Sequence, residues 1–579
     1  MFKSRYYFSQ QQSVSRHFNP WDLLAVVLIF AVIAALAWAT KQMGTHFEIG
    51  EPSPISLSLS ALPGYATRTA LRMFIALLFS LLFTFTIGTW AAKSKRAEQV
   101  IIPCIDVLQS VPVLSFLSIT VVGFINLFPG SLLGPECAAI FAIFTSQVWN
   151  MALGFYQTVK GIPSDLKDAA SMLHLSAWQR FWKIEVPFSM SGLLWNTMMS
   201  MSASWFFVVL CEAISVDNQD IRLPGIGSYI YVAITHADKA AVVYAIITML
   251  IVILTYDQLI FRPLMTWSEK YRLTQTIHDQ VSNSWVVNLL QKAWIFSHLS
   301  KWSSYFSNLI INFSLFRKHG NIIPEKWHFE NTKFFYYLWY VLLFSILIIC
   351  TTFVIRFFSQ NFDIKEILHV FFLGTITATR VFVLIALSSL VWIPVGIWIG
   401  RKRKLVHFAQ PIIQFLAAFP ANLIYPIVVI AIVRFHLNVE VWVSPLMILG
   451  TQWYILFNVI AGVSALPKEL YQATANFGVT GWQWWKRLAL PAIFPYYITG
   501  AITAAGGAWN ASIVAEWVSW GNTTLQATGL GEYIHAYTNA GEFSQVALGT
   551  VVMCLFVLFF NWILWRPLYR LAQSRFQLS

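Results

Sequence analysis

The sequence predicts an all-α polytopic membrane protein made of two parallel six-helix repeats, and three observations point there. Hydrophobic residues make up 57% of the chain and charged residues 11%, with a mean hydropathy of +0.63; a water-exposed surface needs about 25% charge. The apolar residues gather in runs near the ~20 residues of a helical membrane crossing. The chain also repeats itself. DAASMLHLSAWQRFWKIEVP, from Asp168 to Pro187, returns as QATANFGVTGWQWWKRLALP, from Gln472 to Pro491, a shift of 472 − 168 = 304.

The same shift pairs Trp149 with Trp453, Trp205 with Trp509, Glu212 with Glu516, Gly225 with Gly529, Gly227 with Gly531, and Arg262-Pro263-Leu264 with Arg566-Pro567-Leu568. Upstream it becomes 308, pairing Thr69 with Thr377, Arg72 with Arg380, Pro103 with Pro411 and Pro112 with Pro420. A fixed period over most of a chain marks a duplication. The halves are placed at 1–262 and 334–579, joined by a linker over 263–333.

Taken in order, Leu23 to Ala39 is the first apolar run. It is kept as a membrane span because the second half opens with a matching run, Phe334 to Ile355. The remaining spans are expected near 70–92, 105–128, 136–159, 191–213 and 240–261, with partners near 377–400, 411–434, 441–463, 493–516 and 545–565, about 12 in all. Pro112 and Pro420 interrupt the third span of each half, and such prolines need compensating partners. Positive charge at Lys93-Ser94-Lys95-Arg96, at Arg401 to Lys404 and near the C-terminus places both termini in the cytoplasm. An even number of spans per half then makes the repeats parallel.

The net charge of +13 lies in short clusters between apolar runs, which topology explains better than nucleic-acid binding. Cys104, Cys137, Cys211, Cys350 and Cys554 lack metal-ligand or disulfide spacing. There is no phosphate loop, dinucleotide fingerprint or H-E-x-x-H motif; no catalytic residue, metal or cofactor is expected. Trp285 to Phe316 in the linker mixes aromatics with lysines. It reads either as a helix lying against membrane lipid or as a plain connection.

The recurring segment resembles the EAA loop of ABC-importer permeases. The pattern falls on Asp168-Ala169-Ala170, His174, Ile184 and Pro187 in one half, and on Gln472-Ala473-Thr474, Gly478, Leu488 and Pro491 in the other. The first copy lacks the glycine and the second lacks the acid. The chain is most similar to fused permeases of the nitrate, sulfonate and taurine importer group. That resemblance implies a type I importer fold and a permease of the bacterial inner membrane without an ATPase site. Its partners would be two ABC ATPase subunits docked on the loops, a periplasmic or extracellular solute-binding protein, and a small anion as solute. An ion-coupled secondary transporter with two parallel halves is the alternative; few carboxylates lie mid-span to serve it.

Seven residues are candidates for the solute path. The fifth spans carry Trp205, Trp509 and Asn510 among small and hydroxyl residues, which suit either close helix packing or a pore lining. Glu212 and Glu516 end those spans and are either paired and functional or simply solvated. Arg72 and Arg380 either draw an anion inward by paired hydrogen bonds or snorkel to the interface.

Overall fold

The computed structural model describes residues 54–268 and 333–575, apart from 110, 217–218, 465 and 467, together with Tyr305, Leu309, Ile311 and Asn312. The expected span Leu23–Ala39 and most of the expected linker helix lie outside the described residues.

The first half runs α1 (Leu59–Lys93), α2 (Lys95–Leu108), α3 (Leu117–Leu127), α4 (Leu133–Lys160), α5 (Ser164–Met172), α6 (Ala177–Cys211), a hairpin of β1 (Ala213–Val216) and β2 (Gln219–Arg222), α7 (Ile226–Thr235) and α8 (Lys239–Ser268). The second runs α9 (Lys333–Asn361), α10 (Ile364–Gly400), α11 (Arg403–Ala418), α12 (Tyr425–Arg434), α13 (Val439–Leu449), α14 (Gln452–Ser464), α15 (Lys468–Asn476), α16 (Gly481–Ala515), β3 (Trp517–Trp520), β4 (Thr523–Gln526), α17 (Leu530–Ala540) and α18 (Phe543–Ala572). The 304-residue shift carries α5 onto α15, β1–β2 onto β3–β4, and α6 onto α16. Duplication of sequence is duplication of structure.

Among the described residues seven helices are long and apolar enough to cross a membrane, or up to nine if each bent pair is one span. The expected third spans are not single helices. In the first half the chain breaks at Pro112 between α2 and α3; in the second, α11 and α12 meet at 78° just after Pro420. Each proline sits in extended backbone immediately before a short 3-10 turn, where its missing N–H breaks no helical ladder. The fourth span of the second half also departs from expectation. It bends by 45° between α13 and α14, whereas its partner α4 is one 28-residue helix. Among the described residues, the antiparallel hairpins, paired Ala213 to Arg222 and Trp517 to Gln526, are the strands within an otherwise helical fold.

Four π-helical turns recur at matched places, Phe181–Glu185 with Trp485–Ala489 and Asp257–Phe261 with Asn561–Trp565. Each is followed two residues later by a proline: Pro187, Pro491, Pro263 or Pro567. A proline within a helix removes one i→i−4 bond and pushes its ring against the preceding turn. A π turn already widens the ladder there, with Val186, Leu490, Arg262 and Arg566 donating to the fifth residue before them. Of the prolines shared by the two repeats, Pro187 with Pro491 and Pro263 with Pro567 mark these turns.

Candidate functional site

The EAA-like loops begin with nine-residue helices, α5 and α15. Both end in the same left-handed turn. His174 has φ 48° and Gly478 φ 65°. Leu175 N–H donates to Ala170 at 3.1 Å and His174 N–H to Ser171 at 3.0 Å; Val479 to Thr474 at 2.9 Å and Gly478 to Ala475 at 3.1 Å repeat the pattern. These are paired 6→1 and 5→2 bonds that satisfy the last carbonyls of a helix. Glycine adopts that φ freely, while histidine pays about 1–2 kcal/mol.

The turn faces outward. Asp168, Ala169 and Gln472 are exposed, whereas Ala170 is buried against the bundle. Met172 is 82% exposed, Phe477 83% and Trp482 74%. Large apolar groups are thus held open beside the ends of two matched short helices. Pro187 and Pro491 follow the π turns inside α6 and α16 and open the regular α-helical stretch behind each loop.

At the other end of α6 and α16 lies a polar network that sequence reading only half found. Arg72 is fully buried. Its Nε donates to Glu136 Oε2 at 2.5 Å, its Nη2 to Glu136 Oε1 at 2.6 Å and its Nη1 to Glu212 Oε1 at 2.6 Å. Thr69 Oγ1 donates to Glu212 at 2.7 Å, Gly227 N–H at 2.6 Å, and the Pro224 carbonyl accepts from Arg72 at 3.0 Å. The second half rebuilds this set. Arg380 Nη1 donates to Glu516 at 3.0 Å and to the Thr528 carbonyl at 2.7 Å, Nη2 pairs with Glu440, and Thr377 and Gly531 N–H bond Glu516 at 2.9 and 2.7 Å.

Neither role expected for Arg72 fits this geometry. Its charge is matched by two buried carboxylates, so it neither reaches the interface nor offers a free guanidinium to an anion. Arg380 is engaged in the same way but is looser, with 12% of its side chain exposed and Glu440 46% exposed. Glu212 and Glu516 are buried rather than solvated, because each closes the end of its long helix under the hairpin and short helix that follow. Gly225, Gly227, Gly529 and Gly531 are required there: a methyl group on any of them would overlap the glutamate or the backbone of the long helix. Glu136 and Glu440 were missed, although 136 + 304 = 440 was available as a signal.

Trp205 and Trp509, each 2% exposed, are buried against aromatic rings, with Trp205 edge-on to Tyr256 at 5.7 Å and Trp509 tilted on Phe556 at 6.3 Å. Asn510 stands on the seam between the halves, where its Oδ1 accepts from Val113 N–H at 2.8 Å, directly after the Pro112 break. The seam is also held by Trp195 stacked on Phe457 at 5.5 Å and by Gly521 N–H donating to Ile234 at 2.9 Å. A cavity of about 260 Å3 opens at the seam, lined by Met198, Trp205, Tyr256, Asp257, Gln414 and Phe415 among others.

Two matched polar contacts cross the seam with their charges exchanged. Arg566 pairs with Asp106 at 3.0 Å; opposite, Asp257 meets Gln414 at 3.5 Å and its own Arg262 at 3.2 Å. Asp106 corresponds to Gln414 and Asp257 to Asn561, so each side keeps one carboxylate, one amide and one arginine.

The family model described as "Binding-protein-dependent transport system inner membrane component" matches residues 84–260 and again 392–565, together more than half of the chain. Relatives include the glycine betaine transport system permease protein of Bacillus subtilis, 25% identical over 40% of this chain and 77% of its own length. The bicarbonate transport system permease protein of Synechococcus elongatus is 29% identical over 30% of this chain, and the nitrate import permease protein of Leptolyngbya laminosa 26% over 30%. The chain spans only 59% and 58% of these last two. Arg72, Thr69, Arg380 and Thr377 precede the matched ranges, and both glutamates of each network fall inside them. The match sets aside a secondary transporter. The chain belongs to the binding-protein-dependent transport system inner membrane components, as two copies of that permease domain fused in one polypeptide, without an ATPase site of its own.

Proposed function

We propose that the chain forms the whole membrane pathway of an ATP-driven importer. Its two loops, Asp168 to Pro187 and Gln472 to Pro491, each dock one ATPase subunit. A separate solute-binding protein delivers a small solute to the opposite face. The single observation that carries this reading is the doubled loop: two nine-residue helices, each ended by a left-handed turn and each presenting exposed apolar side chains. Both loops and both termini face the cytoplasm in this reading, which the positions of the basic clusters support.

The solute we assign is a small anion, on the likeness to the bicarbonate and nitrate permeases. A zwitterion is the second reading. It is favoured by the glycine betaine relative and by the Asp257–Arg262 pair beside the seam cavity, a site with both signs of charge and aromatic neighbours. The solute-binding protein that stimulates ATP hydrolysis by the reconstituted complex separates the two. Calorimetric titration is expected to give saturable heat with nitrate, bicarbonate or a sulfonate and none with glycine betaine. Binding of glycine betaine alone would overturn the anion assignment.

A further inference from the structure

Beneath the first EAA-like loop lies a second, smaller cavity, of about 150 Å3. Its walls are the end of α1 (Lys93), the end of α4 (Lys160), the short helix α5 (Lys167) and the first turns of α6 (Arg180 and Glu185). Four cations and one carboxylate therefore face a common space. Glu185 is shared by Lys93 at 2.9 Å and Arg180 at 3.2 Å, and Lys160 pairs with Glu98 outside the lining. Lys167 makes no ion pair among the described residues. With Glu98 counted, the cluster retains an excess of two positive charges.

The duplication shows that the fold does not demand this pocket. At the matched positions the second half has Arg401, Ser464, Tyr471, Trp484 and Ala489. Trp484 is buried there, with the Arg401 guanidinium 4.6 Å from its ring centre. One loop thus rests on a basic, partly open pocket, and its copy rests on a packed tryptophan. Basic residues in the last turn of a helix offset its dipole, which accounts for Lys160 at the end of α4. It does not account for Lys167 or Arg180 converging on the same space.

We propose that this pocket binds a phosphate-type oxyanion. Such a group offers several acceptor oxygens and more than one negative charge, matching a site whose cations outnumber their partners. Bound there, it ties Lys167 on α5 to Arg180 on α6, and so fixes one of the two loops against the helix bundle. The same chemistry is available from an anionic lipid headgroup or from free phosphate. The proposal does not depend on the transported solute.

The test uses the full complex with its ATPase subunits in nanodiscs, with unfolding temperature as the readout. In phosphatidylcholine discs, inorganic phosphate is titrated against chloride at equal ionic strength. In parallel, phosphatidic acid is added to the discs without free phosphate. Stabilisation by a bound ligand saturates with its concentration. A saturating response in the first arm identifies free phosphate, and one in the second arm alone identifies the headgroup; either supports the site if Lys167→Gln with Arg180→Gln weakens it by about tenfold or more. Lys167→Gln alone, at an exposed position, is expected to weaken it several-fold, and Arg401→Gln in the second half is expected to leave it unchanged. No response in either arm, or an equal response in the double variant, overturns the proposal.

Discussion

Arg72→Met is expected to destabilise the chain by about 3–5 kcal/mol, the cost of leaving buried carboxylates without their partner. Glu136 and Glu212 are both fully buried and both bonded to this one guanidinium. Arg68, 3.6 Å from Glu136, can offset part of the loss at that carboxylate but is no substitute at Glu212. Arg380→Met is expected to cost clearly less. Glu440 is 46% exposed and keeps bonds from the Thr528 N–H and hydroxyl, and Glu516 keeps bonds from Thr377 and from the backbone of Gly531 and Glu532. Thermal unfolding in detergent, followed by tryptophan fluorescence, measures both variants. Adding Glu136→Gln to Arg72→Met should recover part of the loss, since one uncompensated charge is then removed. Equal destabilisation by the two arginine variants would contradict the burial argument.

Gly478→Pro is expected to abolish solute uptake while ATP hydrolysis continues, because the loop can no longer transmit movement. Gly478 sits at φ 65° and its N–H bonds to Ala475. Proline fixes φ near −65° and has no N–H, so both features of the turn are lost. His174→Gly has the opposite character. His174 already holds φ 48°, and glycine relieves about 1 kcal/mol of strain without altering the path of the chain. Uptake should be retained. Parallel uptake and hydrolysis assays in proteoliposomes decide the matter, and equal loss of uptake in both variants would refute the asymmetry of the loops.

Much of this architecture was legible because the repeat let one half annotate the other. The loops and the breaks at Pro112 and Pro420 followed from residue types whose backbone needs are narrow. Side-chain roles were harder to read. Arg72 and Glu212 lie 140 positions apart in sequence, and no local pattern says that they meet. An isolated arginine near the end of a span looks the same whether it snorkels, lines a passage or is buried against carboxylates. Likewise Trp205 and Trp509 are both buried, and identity at matched positions does not distinguish packing from function. The π turns were hidden for another reason: proline within a helix reads as a simple break, and only coordinates show the widened turn that accommodates it.

The central claim is that one chain supplies both halves of a complete membrane pathway and both docking loops. Native mass spectrometry of the complex purified through a tag on this chain tests it directly. The account predicts one copy of the chain with two ATPase subunits. A stable particle containing two copies of the chain around one pathway would contradict it.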